Sequence, residues 1–232
     1  MARQQTIFVT GKINNLVFYK WKDLHCVRSM PLRVKQTKAT KQSAKDFGRA
    51  AKLSRILRNA FSPLLPDYKN RKMTYRLNAS LLHWLRQKKS LKNISFIGFE
   101  FDRESELSSH CRQPFATSFS EKGKIIVTIP RLSIPQDILA PPDTKLLRLR
   151  IVAAGCSFDD LGITDHCSTI VELPFENGVM PQKQVVLKFN CDRGNIALVG
   201  IALIYCIETD GLLTEVKKPG WTPAAIVSGF MK

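Results

Sequence analysis

The sequence predicts an α+β fold, with a basic N-terminal β-hairpin and helical hairpin followed by an antiparallel β-sandwich. Three observations carry that expectation. Charge is sorted along the chain: residues 1–94 hold 22 of the 36 Lys+Arg but only 3 of the 19 Asp+Glu, leaving 14 against 16 for residues 95–232. Two segments of the basic part repeat apolar residues at helical spacing. Beyond residue 94 the chain becomes short apolar runs separated by Gly, Pro, Asn and Asp, with no helical period between them. A chain of 232 residues fits one large or two small domains, and 44% hydrophobic residues suffice to fill a core. The expected organisation is a basic hairpin, connector and helix pair over residues 1–93 and a β-sandwich-like domain over 94–232.

Residues 6–28 open the chain with aromatic and β-branched runs, "TIFVTG", "NNLVFYKW" and "LHCVRS", the last two joined by Lys22-Asp23. Such runs around a short polar turn predict a hairpin. Residues 29–40 are basic, marked by Pro31 and without period, and read as an extended connector. A helix is expected over 41–61, with Thr40 as its N-cap. At 100° per residue, Phe47, Ala50, Ser54, Leu57 and Phe61 share one face, while Lys41, Lys45, Arg49, Lys52 and Arg55 share the opposite one. "SPLLPD" at 62–67 ends it. Met73, Leu77, Leu81, Trp84 and Lys88 then predict a second helix over about 68–89, completing an αα-hairpin. Phe47, Phe61 and Trp84 are expected in the core.

From there "NISFIGFEF", "GKIIVTI", "TKLLRLRIVAAG", "STIVELPF", "KQVVLKF", "NIALVGIALIYCIE" and "LLTEVKK" predict about seven strands. The longest apolar run, 196–207, is too short to span a bilayer as a helix and reads as a buried strand. The N-terminus lacks the apolar core and small-residue cleavage site of a secretory signal. A cytoplasmic protein with six reduced cysteines is therefore expected.

Chemistry is sparse. His25-Cys26, His110-Cys111 and His166-Cys167 offer metal ligands in number, but adjacent strand residues point to opposite faces, and paired close spacings are absent. Asp159, Asp160, Asp165 and His166 crowd one loop without the order of a calcium site. Asp143 and Glu215-x-Lys217 would be a metal nuclease's carboxylates only across a gap of about 70 residues. No phosphate-cradling glycine loop, nucleophile elbow or His-Glu-x-x-His helix occurs. The sequence thus predicts no catalytic residue, no metal and no cofactor.

What remains is localised positive charge, which calls for a polyanion. The expected contact residues are Arg33, Lys35 and Lys38 in the connector with Lys41, Lys45, Arg49, Lys52 and Arg55 on the helix. Trp21, Tyr19 or Tyr75 could stack on bases. No motif for reading a base sequence is present, so phosphate-dominated binding is expected.

Residues 11–61 also resemble the opening of a family of uncharacterised bacterial proteins, some encoded on phage-like or other mobile elements. The resemblance rests on Gly11, Lys12, Asn15, Val17, Phe18, Trp21, Lys22, Val27, Arg28, Ser29, Pro31, Thr40, Gln42 and Phe47. Family members carry a second glycine where this chain has Asn14. The resemblance implies a structural or interaction role and no particular chemistry.

The reading is therefore a non-catalytic structural or adaptor protein. Its basic part would bind nucleic acid or another polyanion, and its sandwich would engage protein partners. The alternative is a component of a phage-like or other large assembly whose basic arm contacts acidic protein subunits. A metal-dependent enzyme ranks third, and an oligomer is compatible with each.

Overall fold

The computed structural model describes residues 2–4, 7–31, 36–65, 71–87, 96–120, 123–157, 162–189 and 195–231. The chain forms two compact units, residues 1–44 and 45–232. Their boundary lies inside the first helix, and the composition change at residue 94 lies inside the second unit.

The first unit holds a four-stranded antiparallel sheet of β1 (Ala2–Arg3), β2 (Gly11–Ile13), β3 (Leu16–Trp21) and β4 (Leu24–Ser29), in the order β1-β4-β3-β2. The expected Lys22-Asp23 turn joins β3 to β4, and Asn14-Asn15 joins β2 to β3. Asn14 and Lys22 each take a left-handed backbone, with φ of +50° and +55°. Asn is among the residues that enter that region most readily. Gln4 closes the sheet edge. Its Nε2 donates to the carbonyls of Val9 and Cys26, and its Oε1 accepts from the Val9 amide.

Helix α1 (Lys38–Ala60) starts three residues before the expected 41. The side chain of Thr37, not that of Thr40, accepts from a backbone amide, that of Thr40 at 3.1 Å. The two threonine hydroxyls share a further bond of 2.9 Å. A second helix, α2, runs Arg71–Arg86, and a single 3-10 turn at Ser62–Leu64 follows α1.

Fifteen strands are assigned among the described residues. The remaining ones are β5 (Phe99–Glu100), β6 (Ala116–Ser120), β7 (Lys124–Ile129), β8 (Leu132–Ile134), β9 (Thr144–Ser157), β10 (Gly162–Pro174), β11 (Gly178–Met180), β12 (Lys183–Lys188), β13 (Ile196–Thr209), β14 (Leu212–Glu215) and β15 (Ala224–Met231), with a short helix α3 at Leu107–His110. The main sheet has the order β10-β9-β13-β15-β5, with β14 paired to the end of β13 through an Asp210-Gly211 turn. Both turn residues have positive φ, the requirement of a tight two-residue hairpin loop. A second sheet, β12-β7-β6, faces the main one, and all pairings are antiparallel.

Side-chain alternation on β9 and β13 builds two hydrophobic clusters on opposite faces of the main sheet. Val152, Ala154, Leu198 and Ala202 meet Leu53, Leu57, Phe61, Leu77, Leu81 and Trp84 of the helical segment. Leu149, Ile151, Val199, Ile201 and Leu203 meet Ile125, Val127 and Leu187 of the second sheet. The expected sandwich is present, and its main sheet is also covered by helices. Gly200 permits their close approach: a Cβ there would lie 2.6 Å from Leu64 Cδ1 and 2.8 Å from Phe61 Cε1.

Polar contacts fasten the end of α1 and the 3-10 turn after it to the sheet. His166 Nε2 donates to the Ala60 carbonyl at 2.9 Å, and Arg150 donates to the Pro63 carbonyl at 2.8 Å. Among the described residues, Cys26, Cys111, Cys156, Cys167 and Cys206 are free thiols; Cys191 lies outside them. No helix of the described residues is long and apolar enough to cross a membrane.

Candidate polyanion-binding face

The helical period of α1 sorts its charge. Lys38, Lys41, Lys45, Arg49, Lys52 and Arg55 fall within about 120° of the helix circumference at 100° per residue. Five of them are exposed, whereas Arg49 is half-buried and already engaged. Arg33 and Lys35 lie outside the described residues. From Lys38 to Arg55 the row is about 25 Å long, a length over which duplex DNA carries about 15 phosphate charges.

The helix keeps this face in water because its core contact starts late. No residue before Ala50 is buried, and from there Ala50, Leu53, Ser54, Leu57 and Ala60 are. Phe47 is a correction to the sequence reading. It lies on the expected side of α1 but is 56% exposed, about one turn before Ala50, where burial in α1 begins. Phe61 and Trp84 are in the core as expected.

Local electrostatics within α1 are unfavourable. Its first turn has no acidic residue, and Lys38 and Lys41 stand at the positive end of the helix dipole. Lys41–Lys45 adds i, i+4 repulsion of a few tenths of a kcal/mol. A bound anion relieves both costs.

The first unit carries a second cationic surface. Register places Lys12 beside Val17 and Arg28 on one side of the sheet, and Tyr19 beside Cys26 and Arg3 on that same side. Arg28 lies 5.7 Å from the Tyr19 ring centroid, and Lys22 Nζ lies 5.5 Å from that of Trp21. Trp21 is 53% exposed. The cations of this surface escaped the sequence reading because they come from β1, β2 and β4, and only the register between strands brings them together.

The residues weighed for other chemistry have other neighbours. Glu215 Oε1 lies 3.4 Å from Arg148 and 4.0 Å from Arg150, so its carboxylate is neutralised within the sheet. Asp159 and Asp160 lie outside the described residues, and no group of three potential metal ligands occurs within them.

His110 instead joins a buried polar cluster. Its Nδ1 lies 2.9 Å from the Tyr205 hydroxyl, its Nε2 lies 3.2 Å from Ser105 Oγ, and Tyr205 donates to the Leu139 carbonyl at 2.8 Å. Trp221 meets both His110 and Tyr205 edge-on. Burial holds the imidazole below its ordinary pKa and pushes the Tyr205 phenol up. Ser105 and His110 are both buried, so the pair faces the interior and not solvent. The Cys111 thiol is also buried and pushed up to about 11, which keeps it protonated at neutral pH.

Compared with known proteins, the chain matches no family model, no curated protein and no solved structure.

Proposed function

We propose that the chain is a non-catalytic structural or adaptor protein that binds nucleic acid through the cationic face of α1 and engages protein through its β-rich unit. The observation that carries this reading is the sorted row Lys38, Lys41, Lys45, Lys52 and Arg55, exposed along a helix with no buried residue before Ala50. Contacts of this kind neutralise phosphates and release counterions, so they confer affinity without sequence preference. The left-handed backbone of Asn14 supports equating it with the glycine of the phage- and mobile-element-associated family described above, since Gly and Asn both suit that conformation.

A second reading, an assembly component whose basic arm contacts an acidic protein subunit, draws on the exposed apolar residues Phe8, Ile13 and Leu16 of the first unit. Fluorescence anisotropy of a labelled duplex across a salt series separates the two. The nucleic-acid reading expects affinity to fall steeply with salt. Lys41→Gln, Lys45→Gln and Lys52→Gln together should reduce the log–log slope by up to about three units. Binding weaker than about 0.1 mM at physiological salt would reject nucleic acid and leave the acidic-protein account.

A further inference from the structure

The four-stranded sheet of the first unit has two dissimilar faces. Antiparallel register puts directly opposed residues on the same side. Ile13, Leu16, Phe18 and Val27 share one face with Lys20, His25 and Ser29. Arg3, Lys12 and Arg28 share the other with Tyr19 and Trp21, and no acidic residue of the paired strands joins them. The three cations and Trp21 are exposed, and Tyr19 is half-buried.

We infer that this second face is a stacking platform for single-stranded nucleic acid, a proposal that rests on the nucleic-acid reading and narrows it. Tyr19 and Trp21 are two residues apart on β3, so their rings lie about 7 Å apart along one face. Arg28 and Lys22 rest over the two rings in the free chain; successive bases of an extended strand can take their places on the rings as the cations turn to the phosphates. Aromatic faces within a cationic surface are the recurring design of proteins that hold single strands without reading sequence. A duplex hides its base faces and gains nothing from the two rings. It remains a ligand for α1 alone. An acidic protein would satisfy the three cations but would not need two aromatic rings at base spacing.

The test uses the full-length chain with labelled oligothymidylate of about twelve nucleotides and a duplex of equal length. Trp21→Ala should weaken oligothymidylate binding by about 5- to 150-fold, the range expected for loss of one stacked base. Duplex binding should stay unchanged, and Trp21→Phe should retain most of the affinity. Oligothymidylate should also quench tryptophan emission in the parent but not in Trp21→Phe, because Trp84 is 2% exposed and Trp221 packs on His110 and Tyr205. The quenching arm decides the matter even where Trp21→Ala disturbs the sheet. Equal losses for both ligands, or quenching that survives in Trp21→Phe, would overturn the platform and leave the α1 reading standing. A parent that binds neither ligand would reject both.

Discussion

Gly200→Ala is the sharpest probe of how the helices and the main sheet share their core. An ideal Cβ at this position comes within 2.6 Å of Leu64 Cδ1 and within 2.8 and 2.9 Å of Phe61 Cε1 and Cδ1. Carbon atoms pack best at about 3.5–4.0 Å, so the added methyl intrudes by roughly 1 Å. Leu64 can yield at its tip, but the Phe61 ring is fully buried and also packs on Phe101, centroid to centroid at 5.9 Å. Overpacking of this sort costs about 1–3 kcal/mol. Removing a strand glycine returns about 0.5–1 kcal/mol. The net expectation is a loss of about 1 kcal/mol, and of about 2.5 kcal/mol at most, read by urea denaturation as a lower midpoint with an unchanged slope.

Phe61→Leu removes the ring edge that the methyl meets. In that background Gly200→Ala should cost less, by a coupling of about 0.5 kcal/mol or more. If Gly200→Ala is as stable as the parent, or the two changes add, the ring does not press on the sheet as described.

Two further outcomes follow from the same geometry. A fragment starting at residue 96 lacks α1 and α2, leaves Val152, Leu198 and Ile226 uncovered, and should aggregate, whereas residues 45–232 should unfold cooperatively; a monomeric, cooperatively folding 96–232 fragment would count against the shared core. Burial depresses the folded pKa of His110, so the unfolded chain binds the extra proton first: unfolding free energy should be fully retained above about pH 6.5 and fall as pH drops through it, a slope that His110→Gln should flatten in denaturation curves at pH 5 and pH 7.5.

The elements most legible in the sequence were those whose pattern reflects local geometry. The stripe Met73, Leu77, Leu81 and Trp84 marks the buried face of α2 because helical period and burial coincide there. The runs that became β9 and β13 read as strands because both are apolar on two sides and bounded by turn residues. The continuous apolar run of β13 did not reveal that one of its sides packs on helices, since a residue facing Phe61 and one facing Ile125 look alike in sequence. Phe47 misled for a related reason: periodicity gives the side of a helix but not where its neighbour ends. Strands β6, β8 and β11 are short or polar, and β15 sits in a tail of mixed character, so none declared itself. The His110 cluster joins residues as far apart as Ser105 and Tyr205, a separation that no local pattern encodes. On the candidate site, the cations of α1 were legible, but their exposure depended on where the core starts, which only packing decides.

The alternation of β13 has a consequence for how this protein can change over evolutionary time. Leu198 and Ala202 belong to one hydrophobic cluster, and Val199, Ile201 and Leu203 to the other. A single-residue insertion or deletion in this strand would exchange the two sets and spoil both clusters at once, since strand side chains repeat every two residues. The two turns of the N-terminal sheet and the Asp210-Gly211 loop carry no such double duty. Length variation among descendants of this chain should therefore gather at those turns, while β13 keeps its residue count and drifts only by substitutions that preserve which side each residue serves.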